Sequence, residues 1–315
     1  MVTTIKSRIP NSAKTFTFAR HETFHLRDGW LYKGMEAVKS DPELLYSKVA
    51  HHDLGLGINM MRSMRYWLQA TGLVELGPKV TGIRPPYQLS ELGKVIYEQD
   101  PYFEDIGTLW LIHIELVTSP RLATFWYWAF NEFSQREFSE DRLVEGIKQY
   151  CLDNEHSHIA ESSIQKDARC FLRSYLPSVR PDTRALWDDR LDCPLASLDL
   201  LRRGTFPGQY RFHVGRPHSL STKIFEYQLF KFREVAQPDQ EVVSLEDLRW
   251  ASMGPGRVLG LDMATILEFV ETLELKGSSV RLVRTAGLNL VTLNASRKSS
   301  ELLREYYAGD LTRNA

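Results

Sequence analysis

Between Ile58 and Ser90 the chain reads INMMRSMRYWLQATGLVELGPKVTGIRPPYQLS, a periodic run halted by a glycine and followed by two short alternating stretches. That order constrains the fold more than any other feature. Gly72 can take the left-handed conformation that ends a helix, so a helix is expected over Ile58–Thr71. Leu73–Leu76 and Tyr87–Leu89 alternate as two strands joined by a loop carrying Lys79 and Arg84. Upstream, Asp28 is placed to cap a helix bearing Trp30, Leu31, Met35 and Val38. Asp41-Pro42 opens another, with Asp as N-cap and Pro at the first helical position. Leu54-Gly55-Leu56-Gly57 supplies a tight turn. Helix, helix, turn, helix, hairpin is the order of a winged helix-turn-helix.

At about 100° per residue, Ile58, Met61, Met64 and Leu68 share one side of the third helix. Asn59, Arg62, Ser63, Tyr66 and Gln69 share the other. This second set suits a duplex groove: Asn and Gln can grip adenine, Arg can grip guanine, and Ser or Tyr can take phosphates. The alternative is an ordinary solvated face. Arg65 falls near the edge of the apolar side and is expected to pair with a buried carboxylate.

Length and composition set the frame. A chain of 315 residues is long enough for two or more domains, and 43% apolar with 25% charged residues is ordinary for a globular protein. Three widely spaced cysteines, Cys151, Cys170 and Cys193, argue against a disulfide framework and for a reduced, cytoplasmic setting. Residues 1–15 hold Lys6, Arg8 and Lys14 without an apolar core, unlike a signal peptide. The apolar helices around Leu109–Val117 and Ala123–Phe133 are interrupted by His113, Glu115, Asn131 and Glu132, so no membrane association is expected.

The net charge of −1 conceals segregation. Residues 1–97 carry thirteen Lys or Arg against eight Asp or Glu, whereas residues 98–162 carry four against thirteen. Residues 202–233 carry seven against one: Arg202, Arg203, Arg211, Arg216, Lys223, Lys231 and Arg233. Such basic stretches suit phosphate contact, with Arg202, Arg203, Arg211 and Arg216 the leading candidates there.

Beyond Asp100-Pro101 the chain reads helical over Thr108–Thr118, Arg121–Phe133, Asp141–Leu152 and Glu161–Leu176. The aromatic run Phe125, Trp126, Tyr127, Trp128, Phe130 and Phe133 fits a core helix or a subunit interface. Pro177–Asp192 reads as a polar loop. Residues 194–233 hold a short helix, a strand over Tyr210–Val214 and an amphipathic helix over Ser221–Arg233. Leu245–Ala251, a glycine-rich Met253–Gly256 turn, a helix capped by Asp262 and an Ala286-Gly287 hairpin then repeat the opening order. The helix after Asp262 carries Glu268, Glu271 and Glu274, which suits a structural or protein-docking copy. The expectation is a mainly α fold with a minor β part in three domains: 1–99 winged helix, 100–193 helical, and 194–315 winged-helix-like.

Candidate chemistry gathers at Arg20-His21-Glu22-Thr23-Phe24-His25-Leu26-Arg27-Asp28. On a helix His21 and His25 would share a face, with Glu22 to orient an imidazole and Arg20 and Arg27 to neutralise a phosphate. His21, Glu22, His25 and Arg20 are the catalytic candidates. The alternative is an entry strand whose Glu22 or Asp28 pairs with Arg65. Asp153-Asn154-Glu155-His156-Ser157-His158 with Glu161 is a second candidate, for a divalent metal or simply a solvated loop. His51-His52-Asp53 fits phosphate contact or helix capping, and His113 a satisfied core histidine. Pro181-Asp182 with Asp188-Asp189-Arg190 only faintly echoes metal-dependent nucleases. No GxxxxGK[ST] loop or GxGxxG fingerprint is present, so no nucleotide cofactor is expected.

Four blocks, FARHETFHLRDGWLYKG, LGLGINMMRSMRYWLQATGL, DPYFEDIGTLWLIHIEL and ATFWYWAFNEF, resemble the SspB-type family. This bacterial domain family, originally of unknown function, occurs in operons for DNA phosphorothioation and phage defence. The resemblance implies a protein that nicks one strand of double-stranded DNA, with Mg²⁺ or Mn²⁺ as cofactor. Its implied partners are sulfur-transfer enzymes, a cysteine desulfurase and an ATP-dependent protein, that then install sulfur. Arg20, His21, Glu22, Arg27, Asn59, Arg65, Trp67, His113 and Asn131 match the family blocks. The alternatives are a non-catalytic DNA-binding recruiter or regulator, and a scaffold docking its partners through an acidic middle. A homodimer is among the expected assemblies.

Overall fold

A computed structural model describes residues 15–156, 158–178, 192–238, 240–285 and 288–309. The residue 1–15 expectation, most of the Pro177–Asp192 loop, the Pro181–Arg190 nuclease echo, Ser157 of the His-Ser-His string and the Ala286-Gly287 turn fall wholly or largely outside these residues. Helices dominate, with three small antiparallel sheets. The chain divides into two compact units rather than at the expected boundaries. Thr15–Ala129 with Phe133–Phe212 forms one, and Phe130–Glu132 with the residues from His213 onward forms the other. Residues on both sides of position 99 belong to the same unit, and the later division falls at 212/213 rather than 193/194.

The first unit opens with α1 (Trp30–Ser40), α2 (Ala50–Asp53) and α3 (Ile58–Ala70). A hairpin of β1 (Val74–Leu76) and β2 (Tyr87–Leu89) follows, paired Val74↔Leu89 and Leu76↔Tyr87, and α4 (Glu91–Gln99) closes the run. Gly72 takes φ +70° where α3 must stop. Two expected helix starts are corrected. Gly29, not Asp28, is the N-cap of α1, while the Asp28 carboxylate accepts the Gly29 N–H. After Asp41-Pro42 comes a single 3-10 turn, Leu44–Tyr46, rather than a long helix; it and the short α2 share that stretch.

α5 (Ile106–Val117), α6 (Thr124–Asn131) as far as Ala129, α7 (Glu140–Asp153) and α8 (Glu161–Tyr175) supply the helical part of this unit. β3 (Glu137–Ser139), β4 (Leu201–Arg203) and β5 (Gln209–Phe212) form a sheet in the order β3-β5-β4. The aromatic run belongs to the core: Phe125, Trp126 and Tyr127 are fully buried with Trp67, Phe171 and Tyr175. Trp126 meets Trp67 edge-to-face at 5.4 Å between centroids, a geometry worth about 1 kcal/mol beyond area burial. His113 is the satisfied core histidine expected, with Nδ1 2.8 Å from the Tyr175 hydroxyl. Cys151, Cys170 and Cys193 are free and buried, and burial pushes the Cys151 thiol up to about 11.

The second unit holds α9 (Thr222–Ala236), α10 (Leu245–Trp250), α11 (Pro255–Val258), α12 (Met263–Leu275) and α13 (Ser299–Ala308). β6 (Val242–Ser244), β7 (Val280–Thr285) and β8 (Leu288–Leu293) pair in the order β6-β8-β7. Asp262 caps α12 as expected, its carboxylate accepting the Thr265 N–H at 2.8 Å. Asn131 accepts the Met253 N–H at 2.6 Å, which ties the end of α6 to the α10–α11 turn. No helix among the described residues is long and apolar enough to cross a membrane.

Candidate nucleic-acid interface

Residues 19–23 form a tight turn, not a helix. Ala19, Glu22 and Thr23 take φ of +57°, +50° and +72°, each a cost of about 1–3 kcal/mol for a residue with a Cβ. A buried pair holds this conformation. Asp167 of α8 accepts the Ala19 N–H at 2.7 Å and faces His21 Nε2 at 2.8 Å, both through Oδ1. The Thr23 N–H donates to His21 Nδ1 at 3.1 Å, which in the neutral ring leaves the proton on Nε2. Burial opposes a charge on His21, whereas Cys170 and Asp167 beside it raise its pKa, to about 10; the Thr23 N–H on Nδ1 works against that rise, because a charged ring has no acceptor there. Burial likewise holds the Asp167 carboxyl above the ordinary range, against the pull of His21. Immediately after the turn, the Phe24 carbonyl accepts the Trp67 indole N–H at 3.1 Å.

This arrangement corrects two catalytic expectations. His21 is 0% exposed and His25 4%, the latter with Nδ1 2.9 Å from the Leu26 carbonyl. Neither imidazole meets solvent. With no helix there, the i, i+4 spacing brings no shared face. Arg27 is buried too, its guanidinium stacked 5.1 Å from the Phe24 ring and 5.4 Å from Trp30. Arg20 is exposed and Glu22 half-buried at the surface of the turn.

α3 meets this turn at its first helical turns. Asn59 and Arg62 are exposed; Arg62 donates to Asn59 Oδ1 at 3.5 Å and stands 3.9 Å from Glu22 Oε1. The Arg62 side chain is 48% exposed. Ion pairs that long and that wet are worth about 0–1 kcal/mol, so a phosphate can take the guanidinium at little cost. The rest of the expected reading face is corrected. Ser63 is fully buried, with its hydroxyl 3.5 Å from the Phe24 carbonyl. Tyr66 is buried against His21 and Trp67, and burial raises its phenol well above the ordinary value. The cause is that α3 is buried on more than one side: Met61, Met64 and Leu68 inward as expected, Ser63, Tyr66 and Trp67 beneath the 19–27 segment. Ile58, assigned to the apolar side, is exposed.

Gln69 is half-buried and donates to the Arg65 carbonyl at 3.1 Å. Arg65 itself donates to the Leu45 carbonyl at 3.0 Å rather than to the carboxylate expected. Lys79 and Arg84 are exposed on the hairpin loop, Arg84 stacked over Tyr46 at 4.6 Å.

The basic stretch over 202–233 is divided between the two units. Arg202, Arg203 and Arg211 lie in the first unit, and Arg216, Lys223, Lys231 and Arg233 in the second. Arg202 is paired with Asp199, Arg203 with the Pro177 carbonyl, and Arg216 with Glu268. Arg233 is buried on the carbonyls of Asn294 and Arg297. Arg211 remains exposed on β5. His156 packs 4.1 Å from the Phe16 ring, and among the described residues no three His, Cys, Asp or Glu side chains are grouped to hold a metal ion.

Asp167 is the residue holding this turn that the sequence did not single out. Its signal was an acid in the apolar stripe Ile164, Ala168 and Phe171 of α8. A second omission lies in the other unit. Trp250 is 57% exposed, with the Arg249 and Arg257 guanidinium groups 4.0 and 5.6 Å from its ring.

Residues 18–307 match the model of a family described as Protein of unknown function (DUF4007). The chain belongs to that family. It is similar to a crystal structure of SspB at 28% identity and TM-score 0.82, covering 93% of this chain and 88% of that one. It is equally similar to a magnesium ion-bound crystal structure of SspB, at 27% identity, TM-score 0.82 and the same coverage. No curated protein matches the chain. The similarity spans both units.

Proposed function

We propose that this chain is a double-stranded DNA-binding protein of a DNA phosphorothioation system. In this reading α2, the 54–57 turn, α3 and the β1–β2 hairpin act as a winged helix-turn-helix. The observation that carries it is the exposure of Asn59 and Arg62 on α3, with Glu22 of the 19–23 turn 3.9 Å from Arg62 and Arg20 exposed on the same turn. Arg62 and Asn59 contact base edges or phosphates at the groove, Arg20 the flanking phosphate, and Lys79 and Arg84 the backbone beside the hairpin. Gln69 and Arg211 are secondary contacts.

The SspB-type resemblance supports single-strand nicking as the step performed, followed by sulfur incorporation by a cysteine desulfurase and an ATP-dependent partner. The burial of His21 and His25 favours the second reading, a recruiter without a surface acid–base pair, and leaves Glu22 as the carboxylate of the site. One similar SspB crystal structure is magnesium ion-bound. Magnesium sits on one or two carboxylates with waters and substrate phosphates. Here Glu22 stands near Arg62 and follows Arg20 by two residues. That donor set does not fit a resident dication, and no step is assigned to one. Among the acidic residues of α12, Glu268 and Glu271 pair with Arg216 and Arg284, which supports a structural role for that helix.

The test combines filter binding of a labelled duplex with a supercoiled-plasmid assay in Mg²⁺, Mn²⁺ or EDTA. Arg62→Ala is expected to weaken binding about tenfold. Nicked circles that vanish with Glu22→Gln would establish the nickase; retention without nicked circles in any metal would establish the recruiter. Absence of salt-sensitive binding by the wild-type protein would end both.

A further inference from the structure

The tip of the β1–β2 hairpin is apolar where turn chemistry favours polar residues. Val80 and Ile83 form a bridge across Thr81-Gly82, closed by the Ile83 N–H on the Val80 carbonyl at 3.1 Å. Gly82 at φ +80° supplies the third position of a type II turn. The two branched side chains are 56% and 65% exposed. Lys79 precedes them and Arg84 follows, both exposed, and no acidic residue occurs between Gly77 and Tyr87.

The stem beneath the tip is firmly held. The Tyr87 N–H donates to the Pro42 carbonyl at 3.1 Å and the Tyr46 hydroxyl to the Pro85 carbonyl at 2.8 Å. The Tyr46 and Tyr87 rings stack at 4.5 Å. A rigid stem, an apolar point and a cation on each side make a wedge. Side chains of this kind enter between base steps and partly unstack them, while flanking cations hold the phosphates on either side.

We infer that Val80 and Ile83 insert into the duplex and locally unwind it, so that the protein deforms the DNA it binds. This inference rests on the DNA-binding reading above. It adds a property which that reading does not require, because a hairpin can grip phosphates without disturbing the stack. The positive flanks favour nucleic acid over an apolar protein partner as the occupant.

The measurement is the linking number of closed circular plasmid relaxed by a type IB topoisomerase in EDTA, with increasing full-length protein. Wild type is expected to shift the topoisomer distribution in proportion to the protein bound. The double variant Val80→Ser/Ile83→Ser, compared with wild type at equal amounts of plasmid-bound protein, is expected to lose the shift while keeping the same salt dependence of binding. Wild-type binding with no change in linking number overturns the wedge and leaves the DNA-binding reading intact. A double variant that shifts topoisomers as wild type does also overturns it. Failure of the wild type to bind plasmid overturns both.

Discussion

Asp167 governs a surface it never reaches. Its one carboxylate oxygen satisfies both the Ala19 N–H and His21 Nε2, and those two bonds hold three residues with side chains in left-handed backbone. Asp167→Ala would strand a buried donor on His21 and a part-buried one on Ala19, at about 1–3 kcal/mol each. The expected loss is therefore about 3 kcal/mol or more, seen as a lower urea midpoint in chemical denaturation. Asp167→Asn keeps an acceptor for the Ala19 N–H and is expected to lose less. Equal losses for the two variants would show that the charge, not the acceptor, carries the contribution.

At the scale of elements, caps and turns decide more than propensity does. Asp262 caps α12 through the Thr265 N–H, and that bond holds its carboxyl below the ordinary range. A depressed folded-state pKa contributes stability that is present above the unfolded value, about 4 for aspartate, and is lost as the pH falls through the lower folded value. Asp262→Ala is expected to cost about 1 kcal/mol at neutral pH. Thermal melts from pH 7 to pH 3 should show the gap to wild type narrowing at the acid end. A gap unchanged with pH would remove the ionised cap from the account.

The same elements show what could be read in advance. α3, its glycine stop, the β1–β2 hairpin and the Asp262 cap announce themselves through local spacing and turn residues. β3 and β6 do not, because each is three residues long and pairs with a strand far along the chain, as Phe138 does opposite Tyr210. Of the candidate reading face, the exposure of Asn59 and Arg62 followed from helical periodicity. The burial of Ser63 and Tyr66 did not, because a coil segment covers α3 where a simple two-faced helix would meet water. His21 and His25 misled because i, i+4 spacing has meaning only on a helix, and nothing local reveals the strained turn that replaces it.

For the whole molecule, a net charge of −1 and a pI near 6.8 leave little long-range attraction for DNA. In the proposed DNA-binding reading, affinity comes from a few local cations. Arg20, Arg62, Lys79 and Arg84 make four, so the slope of log K against log salt is expected near about −4, given roughly −0.9 per phosphate neutralised. A slope of about −7 or steeper would bring the arginines of residues 202–233 back into the contact surface. The intramolecular partners of Arg202, Arg203 and Arg216 argue for the shallower value.

The sealed imidazole at position 21 carries a warning for genetics. A screen scored only on phenotype would rank it with residues that perform chemistry, since replacing it unlatches the loop that displays Arg20 and Glu22. An architectural pin and a reactive group leave the same signature in such a screen, and only a variant whose folding has been measured separately tells them apart.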